Sequence, residues 1–344
     1  MSSRAYSFLR KLVLLSMSVI IIAATSACSS VGSGSSASPP GTGGSVPGEG
    51  RDASSTLGTT AIWASVSAGW NYGCRVETDG TIACWGGNDY GQATPPAGTF
   101  FSVSAGFNHT CGVRTDATVA CWGENNAGDV TPPAGTFSSV SAGISYTCGL
   151  ATGNAIACWG INNWADTEPP AGSFASVSAG YFHTCAVKTD GTVACWGEND
   201  FGEATPPGGT FTSVSAGDSH TCGVTAGGAL ACWGFNDEGQ ATPPAGSFVS
   251  VSAGGLHTCG IRTDGTVACW GNNDYGQAAP PAGSFASVSA GGLHTCGIRT
   301  DGTVACWGNN DYGQATPPAD TSDASDAGLL SGDGNEESAS AQPE

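Results

Sequence analysis

The chain has 344 residues, 28 acidic and 9 basic, with a formal net charge of −19 at pH 7. Such a balance repels phosphate instead of steering it, which excludes nucleic acid and an anionic membrane surface as partners. No segment carries a helical hydrophobic period, and 14 of the 15 cysteines and most of the 54 glycines fall in short extended elements and their turns.

Residues 1–27 read as a signal peptide. Arg4, Arg10 and Lys11 precede an apolar run from Leu12 to Ala24 that is too short for a spanning helix. The run ends in Thr25-Ser26-Ala27-Cys28, which resembles a bacterial lipobox and implies lipidation of Cys28. Ordinary cleavage after Ala27 is the alternative. Residues 28–60 then form a tether rich in Gly, Ser and Pro. The expected location is extracytoplasmic, at the bacterial cell envelope, with membrane contact only through the lipid.

From 61 to 319 the chain repeats. Ser-Ala-Gly ends at Gly69, Gly106, Gly143, Gly180, Gly217, Gly254 and Gly291, and Trp-Gly starts at Trp85, Trp122, Trp159, Trp196, Trp233, Trp270 and Trp307. Both series step by 37 residues, giving seven copies without insertion or deletion. Beyond the array, 320–344 holds seven acidic and no basic residues and reads as an acidic disordered tail.

Each copy holds two cysteines ten positions apart: Cys74/Cys84, Cys111/Cys121, Cys148/Cys158, Cys185/Cys195, Cys222/Cys232, Cys259/Cys269 and Cys296/Cys306. In the sixth copy, Thr-Asp-Gly lies midway, flanked by Cys-Gly-Ile and Val-Ala-Cys. That is a hairpin with a three-residue loop and a left-handed glycine. Folding it about Asp264 sets Cys259 opposite Cys269, within reach of a disulfide. Gly265 has equivalents in Gly80, Gly191, Gly228 and Gly302, with Asn154 in another copy; Ala117 alone lacks an easy left-handed conformation. Zinc would want tight Cys-x-x-Cys knuckles, so no metal is expected, and no cofactor either.

Every repeat offers three extended stretches: Phe-x-Ser-Val-Ser-Ala, Thr-Cys-x-Val and Val-Ala-Cys-Trp. Short steps between them make the strands run up, down, up. The Pro-Pro return can be at best an edge or an irregular segment. One such unit cannot bury its own faces, whereas seven arranged radially can. The expected fold is all-β: a seven-bladed propeller with three-stranded antiparallel blades, one disulfide in each. An open β-solenoid is the alternative.

The pattern His-Thr-Cys-x-Val-x-Thr-Asp-Gly-x-Val-x-Cys-Trp-Gly-x-Asn-x-x-Gly-Gln resembles the regulator of chromosome condensation repeat. In its short period it is closer still to the bacterial propeller that inhibits β-lactamases. The resemblance implies a propeller scaffold that binds proteins. The eukaryotic namesake also exchanges guanine nucleotides on a small GTPase, but the export signal makes that activity an implausible one for this chain.

Variation among the copies concentrates in two loops that emerge at one end of the ring. The first, after Ala-Gly, supplies Trp70, Asn71, Phe107, Asn108, Ile144, Tyr181, Phe182 and Asp218. The second, after Trp-Gly, supplies Tyr90, Trp164, Phe201, Phe235, Tyr275 and Tyr312. These are the candidate binding residues, since variable aromatics on one face make a recognition surface. In the β-lactamase-inhibiting relative the same two loop positions build the binding face. His109, His183, His220, His257 and His294 share one repeat position and read as structural hydrogen-bonding residues. No nucleophile–base pair, P-loop or carboxylate pair stands apart from the repeat, so no catalytic residue is expected. The leading reading is a monomeric, surface-anchored protein binder; a glycan-binding lectin and an extracytoplasmic inhibitor of a β-lactamase-type hydrolase are the alternatives.

Overall fold

The computed structural model describes residues 65–126, 128–161 and 168–319. These residues form seven three-stranded sheets, each built from the consecutive strands of one repeat. In the sixth blade the inner strand is Phe248–Ala253, the middle strand His257–Arg262 and the outer strand Val267–Gly271. Both pairings are antiparallel. The Pro-Pro segments carry no strand.

The register explains the cysteines. Cys259 faces Cys269, Gly260 faces Ala268 and Ile261 faces Val267. Arg262 N donates to Thr266 O, so pairs alternate back from the turn and the cysteines fall at a close, non-hydrogen-bonded site. All seven bridges expected from the spacing are present: Cys74–Cys84, Cys111–Cys121, Cys148–Cys158, Cys185–Cys195, Cys222–Cys232, Cys259–Cys269 and Cys296–Cys306. Their Cα separations are 4.0–4.1 Å. The two ends of a bridge differ in environment. The first cysteine sits on the middle strand and is fully buried. Its partner sits on the outer strand, so Cys84, Cys121, Cys158, Cys195, Cys232, Cys269 and Cys306 are only partly buried.

Gly265 takes φ +84° in the turn, and Asp264 Oδ1 accepts from both the amide and the hydroxyl of Thr266. Ala117 holds the same left-handed conformation, at φ 67°. Its turn is pinned by Arg114 N donating to Thr118 O and by the same Asp116–Thr118 bonds. An extra residue interrupts the inner strand between Phe248 and Ser250, leaving Val249 59% exposed. Such a bulge bends the strand and increases its twist.

Contacts between blades recur at every seam. Ser67 Oγ accepts from Ala105 N, and the same bond runs from Ser104, Ser141, Ser178, Ser215 and Ser252 to the following blade. Ser289 Oγ accepts from Ala68 N at 2.9 Å and closes the ring. Trp85 Nε1 donates to Gln314 O at 2.9 Å across that seam, as Trp122 donates to Gln92 O between blades one and two. Among the described residues no strand is exchanged to lock the circle. Side-chain and backbone hydrogen bonds do it, each satisfying a group that burial would otherwise leave unpaired.

The seam glycines permit this approach. A Cβ at Gly106 would lie 2.5 Å from Gly143 O and 3.1 Å from Ala142 Cβ. The first of these is a backbone atom, which cannot swing away.

Candidate functional site

The Ser-Ala-Gly corners of the seven inner strands line a central cavity of about 140 Å³. Its one large lining side chain is Tyr181. The first loops converge at this end. Trp70 and Phe107 lie 5.1 Å apart, Trp70 and Tyr181 5.4 Å, Phe107 and Tyr181 6.0 Å between ring centroids. Edge and tilted contacts of this kind suit the quadrupoles of the rings. The seventh blade makes room: a Cβ at Gly292 would strike Trp70 Cε3 at 2.6 Å. The large Trp70 of blade one is thus accommodated by glycine at the same repeat position in blade seven. Asp218, 8% exposed, brings a carboxylate to the edge of the cluster. Burial raises the Tyr181 phenol well above its ordinary value, and the Asp218 carboxylate adds to the shift.

The second loops are held by their own side chains. Asn273 Oδ1 accepts from Ala278 N, and the buried Gln277 Oε1 accepts from Tyr275 N. Gly276 takes φ +83° at the bend. The same bonds recur around Tyr90 and Tyr312. The interior of the loop is filled, so the tyrosine ring points out: Tyr90, Tyr275 and Tyr312 are 41%, 51% and 57% exposed. They occupy blades one, six and seven, which are consecutive around the closed ring.

The other candidates are distributed differently. Phe182 and Phe235 are each 8% exposed, and Phe235 packs edge-on against the half-buried Phe201 at 4.9 Å across a seam. Ile144 packs against the core cluster around Tyr146. Asn108 Nδ2 donates to Glu124 Oε2, and Asn71 O accepts from Gly87 N, so these two join the first loop to the second. Trp164 and Cys28 lie outside the described residues. Ile161, 57% exposed at the start of the third blade's second loop, was not singled out from sequence; its repeat position holds Gly, Glu, Phe and Asn elsewhere, and nothing in that pattern marks it.

The histidines are buried completely. His109, His183, His220 and His257 each bond through Nε2 to a threonine of the next blade, at 2.7–2.8 Å. At the closing seam Gly73 stands where the other blades have threonine, so His294 has no hydroxyl across from it. Burial pushes His183, His220 and His257 down to about 3, and His109 and His294 down to about 4. Among the described residues no group of three His, Cys, Asp or Glu side chains gathers to hold a metal.

The model of the regulator of chromosome condensation (RCC1) repeat matches residues 63–92, 102–129, 174–203, 211–240, 248–277 and 285–314. The chain belongs to the RCC1 repeat family. The third repeat, with its Trp164 loop, falls outside the matched segments. The RCC1-type ring is similar to the ectodomain of the Physcomitrella patens receptor kinase CR4, at 26% identity, TM-score 0.64, covering 71% of this chain and 72% of that one. It is also similar to the CRINKLY ectodomain of the Arabidopsis thaliana receptor kinase ACR4, at 27% identity, TM-score 0.61, covering 71% and 97%. Prp20p of Saccharomyces cerevisiae, described with its binding to Gsp1p and histones, shares the fold at 15% identity and TM-score 0.60, covering 75% and 86%. No curated protein sequence matches the chain.

Proposed function

We propose that this protein is a non-catalytic binding ring that works outside the cytoplasm and engages a protein partner with its loop face. One observation carries the reading: Tyr90, Tyr275 and Tyr312 are exposed on three consecutive blades, each on a loop pinned by its own glutamine. Exposed aromatics on a rigid support lose little entropy on binding and dominate interface energetics. Supporting context comes from the receptor ectodomains, which place similar rings outside the cell. Seven disulfides fit an oxidising compartment. On this reading residues 1–27 direct export, Cys28 carries the lipid and 28–60 hold the ring off a bacterial envelope.

The test uses a protein that co-purifies with the full chain. Replacing Tyr90, Tyr275 and Tyr312 together by Ala is expected to lower its affinity by about 2 kcal/mol or more, with the melting temperature unchanged. A fall in melting temperature with affinity retained would make these side chains packing residues and refute the reading.

A further inference from the structure

This inference rests on the proposed binding face and names the chemistry of what binds there. Charge in the ring is segregated by end. Arg114, Lys188, Arg262 and Arg299 each close a middle strand at the hairpin-turn end. The arginines are engaged: their guanidinium groups lie 4.8–5.0 Å over the rings of Phe100, Phe248 and Phe285. The same groups donate to the carbonyls of Ala97, Ala245 and Ala282. Arg75, buried near that end, pairs with Glu77 at 2.9 Å. The turn aspartates Asp116, Asp190, Asp264 and Asp301 are held below the ordinary carboxyl value chiefly by hydrogen bonds from their threonines, and the strand-end cations beside them add to the shift.

The loop end has no such compensation. Asp89, Asp200, Asp237, Glu238, Asp274 and Asp311 are exposed there, and the described loop face has no lysine or arginine. The histidines are buried and neutral. Asp274 and Asp311 accept from the amides of Asn272 and Asn309, neutral groups that orient them without cancelling charge. Each exposed tyrosine directly follows one of these carboxylates: Asp89-Tyr90, Asp274-Tyr275 and Asp311-Tyr312. An aromatic face beside a carboxylate is what an arginine or lysine side chain meets best. The ring takes the alkyl stem and the cation's face, and the carboxylate takes the N–H donors. The motif occurs three times on consecutive blades of the closed ring.

We infer that the loop face of blades six, seven and one receives a basic polypeptide segment of the partner, with successive Arg or Lys side chains seated on the three Asp-Tyr pairs.

The probe is a fluorescein-labelled decapeptide alternating Arg and Gly, with a Glu-Gly decapeptide as control, titrated against the full chain. The basic peptide is expected to bind and the acidic one not. Affinity should fall at least tenfold in the Tyr90→Ala/Tyr275→Ala/Tyr312→Ala variant, and again in Asp89→Asn/Asp274→Asn/Asp311→Asn. The turn-end set Asp116→Asn/Asp264→Asn/Asp301→Asn makes the same change in net charge and should leave affinity within twofold, with melting curves confirming that all three variants fold. Equal weakening by the two Asn sets would mean diffuse attraction to an acidic protein and overturn the inference. So would equal binding of both peptides, or a neutral oligosaccharide competing for the tyrosines where the peptide does not bind. A neutral protein that cross-links at the same tyrosines would also overturn it, while leaving the proposed function standing.

Discussion

The protein is expected to lose stability steeply as pH falls from about 6 towards 4. All five histidines of the chain are buried. In the folded ring they are held at about 3 to 4, chiefly by burial. Their ordinary value is about 6.5. The folded value is depressed, so below about pH 6.5 the unfolded chain binds more protons, and stability present at neutral pH drains away as acid is added. Each histidine contributes up to about 1.4 kcal/mol per pH unit in that window. Five acting together come to at most about 14 kcal/mol over two units, comparable with the whole stability of an ordinary domain, about 5–15 kcal/mol. The environment offers little rescue. His220 feels His183, and His257 feels both neighbours, so the first charge makes the next harder to add. His109 has a carboxylate at hand, Asp129 Oδ2 at 3.3 Å from Nδ1. The turn aspartates, lowered by their threonines, push in the same direction below about pH 4. Denaturant midpoints at pH 7, 6, 5 and 4.5 measure the effect, and proton uptake on unfolding at pH 5 should approach five. His257→Gln should reduce the uptake by about one. A midpoint constant from pH 7 to 4.5 would contradict buried neutral histidines.

Loss of a single disulfide is the second large effect. Cys148 and Cys158 are ten residues apart, and closing that loop is worth about 3 kcal/mol in the chain-entropy account. For a domain of this size that corresponds to about 6–12 °C in melting temperature. The Cys148→Ala/Cys158→Ala variant should show this drop while retaining its strands. The other six bridges should still map within their repeats. Reduction of all bridges should cost more than one and less than their sum, because neighbouring blades share seams and unfold together. A change below about 2 °C in the double variant would mean that the hairpin ladder alone holds the blade.

The hairpins could be read from residues because their partners are local. Cys259 and Cys269 flank Gly265 symmetrically, and the observed pairs Gly260–Ala268 and Ile261–Val267 follow from that spacing. The seams could not be read in this way. Ser289 bonds Ala68 across 221 residues, and each His–Thr bond spans 38, so neither partner identifies itself within one repeat. Among the described residues, closure of the ring rests on those bonds. Exposure of the loop aromatics was hidden for the same reason. Phe182 and Tyr181 are neighbours in sequence, yet one is buried and the other caps the cavity. Trp70 finds its place because blade seven has Gly292. For the first loop, the adjacent blade decides where an aromatic fits.

The central claim is that binding takes place on the loop face. Photo-reactive benzoylphenylalanine placed singly at 90, 275 and 312, and at the turn positions 116, 190 and 264, tests it whatever the partner's identity. Cross-linking is carried out on the full chain in the cells that produce it. A shared protein adduct from the three loop positions, and none from the three turn positions, is the result expected. The same adduct from the turn positions, with none from 90, 275 and 312, would place binding at the opposite end and contradict the account.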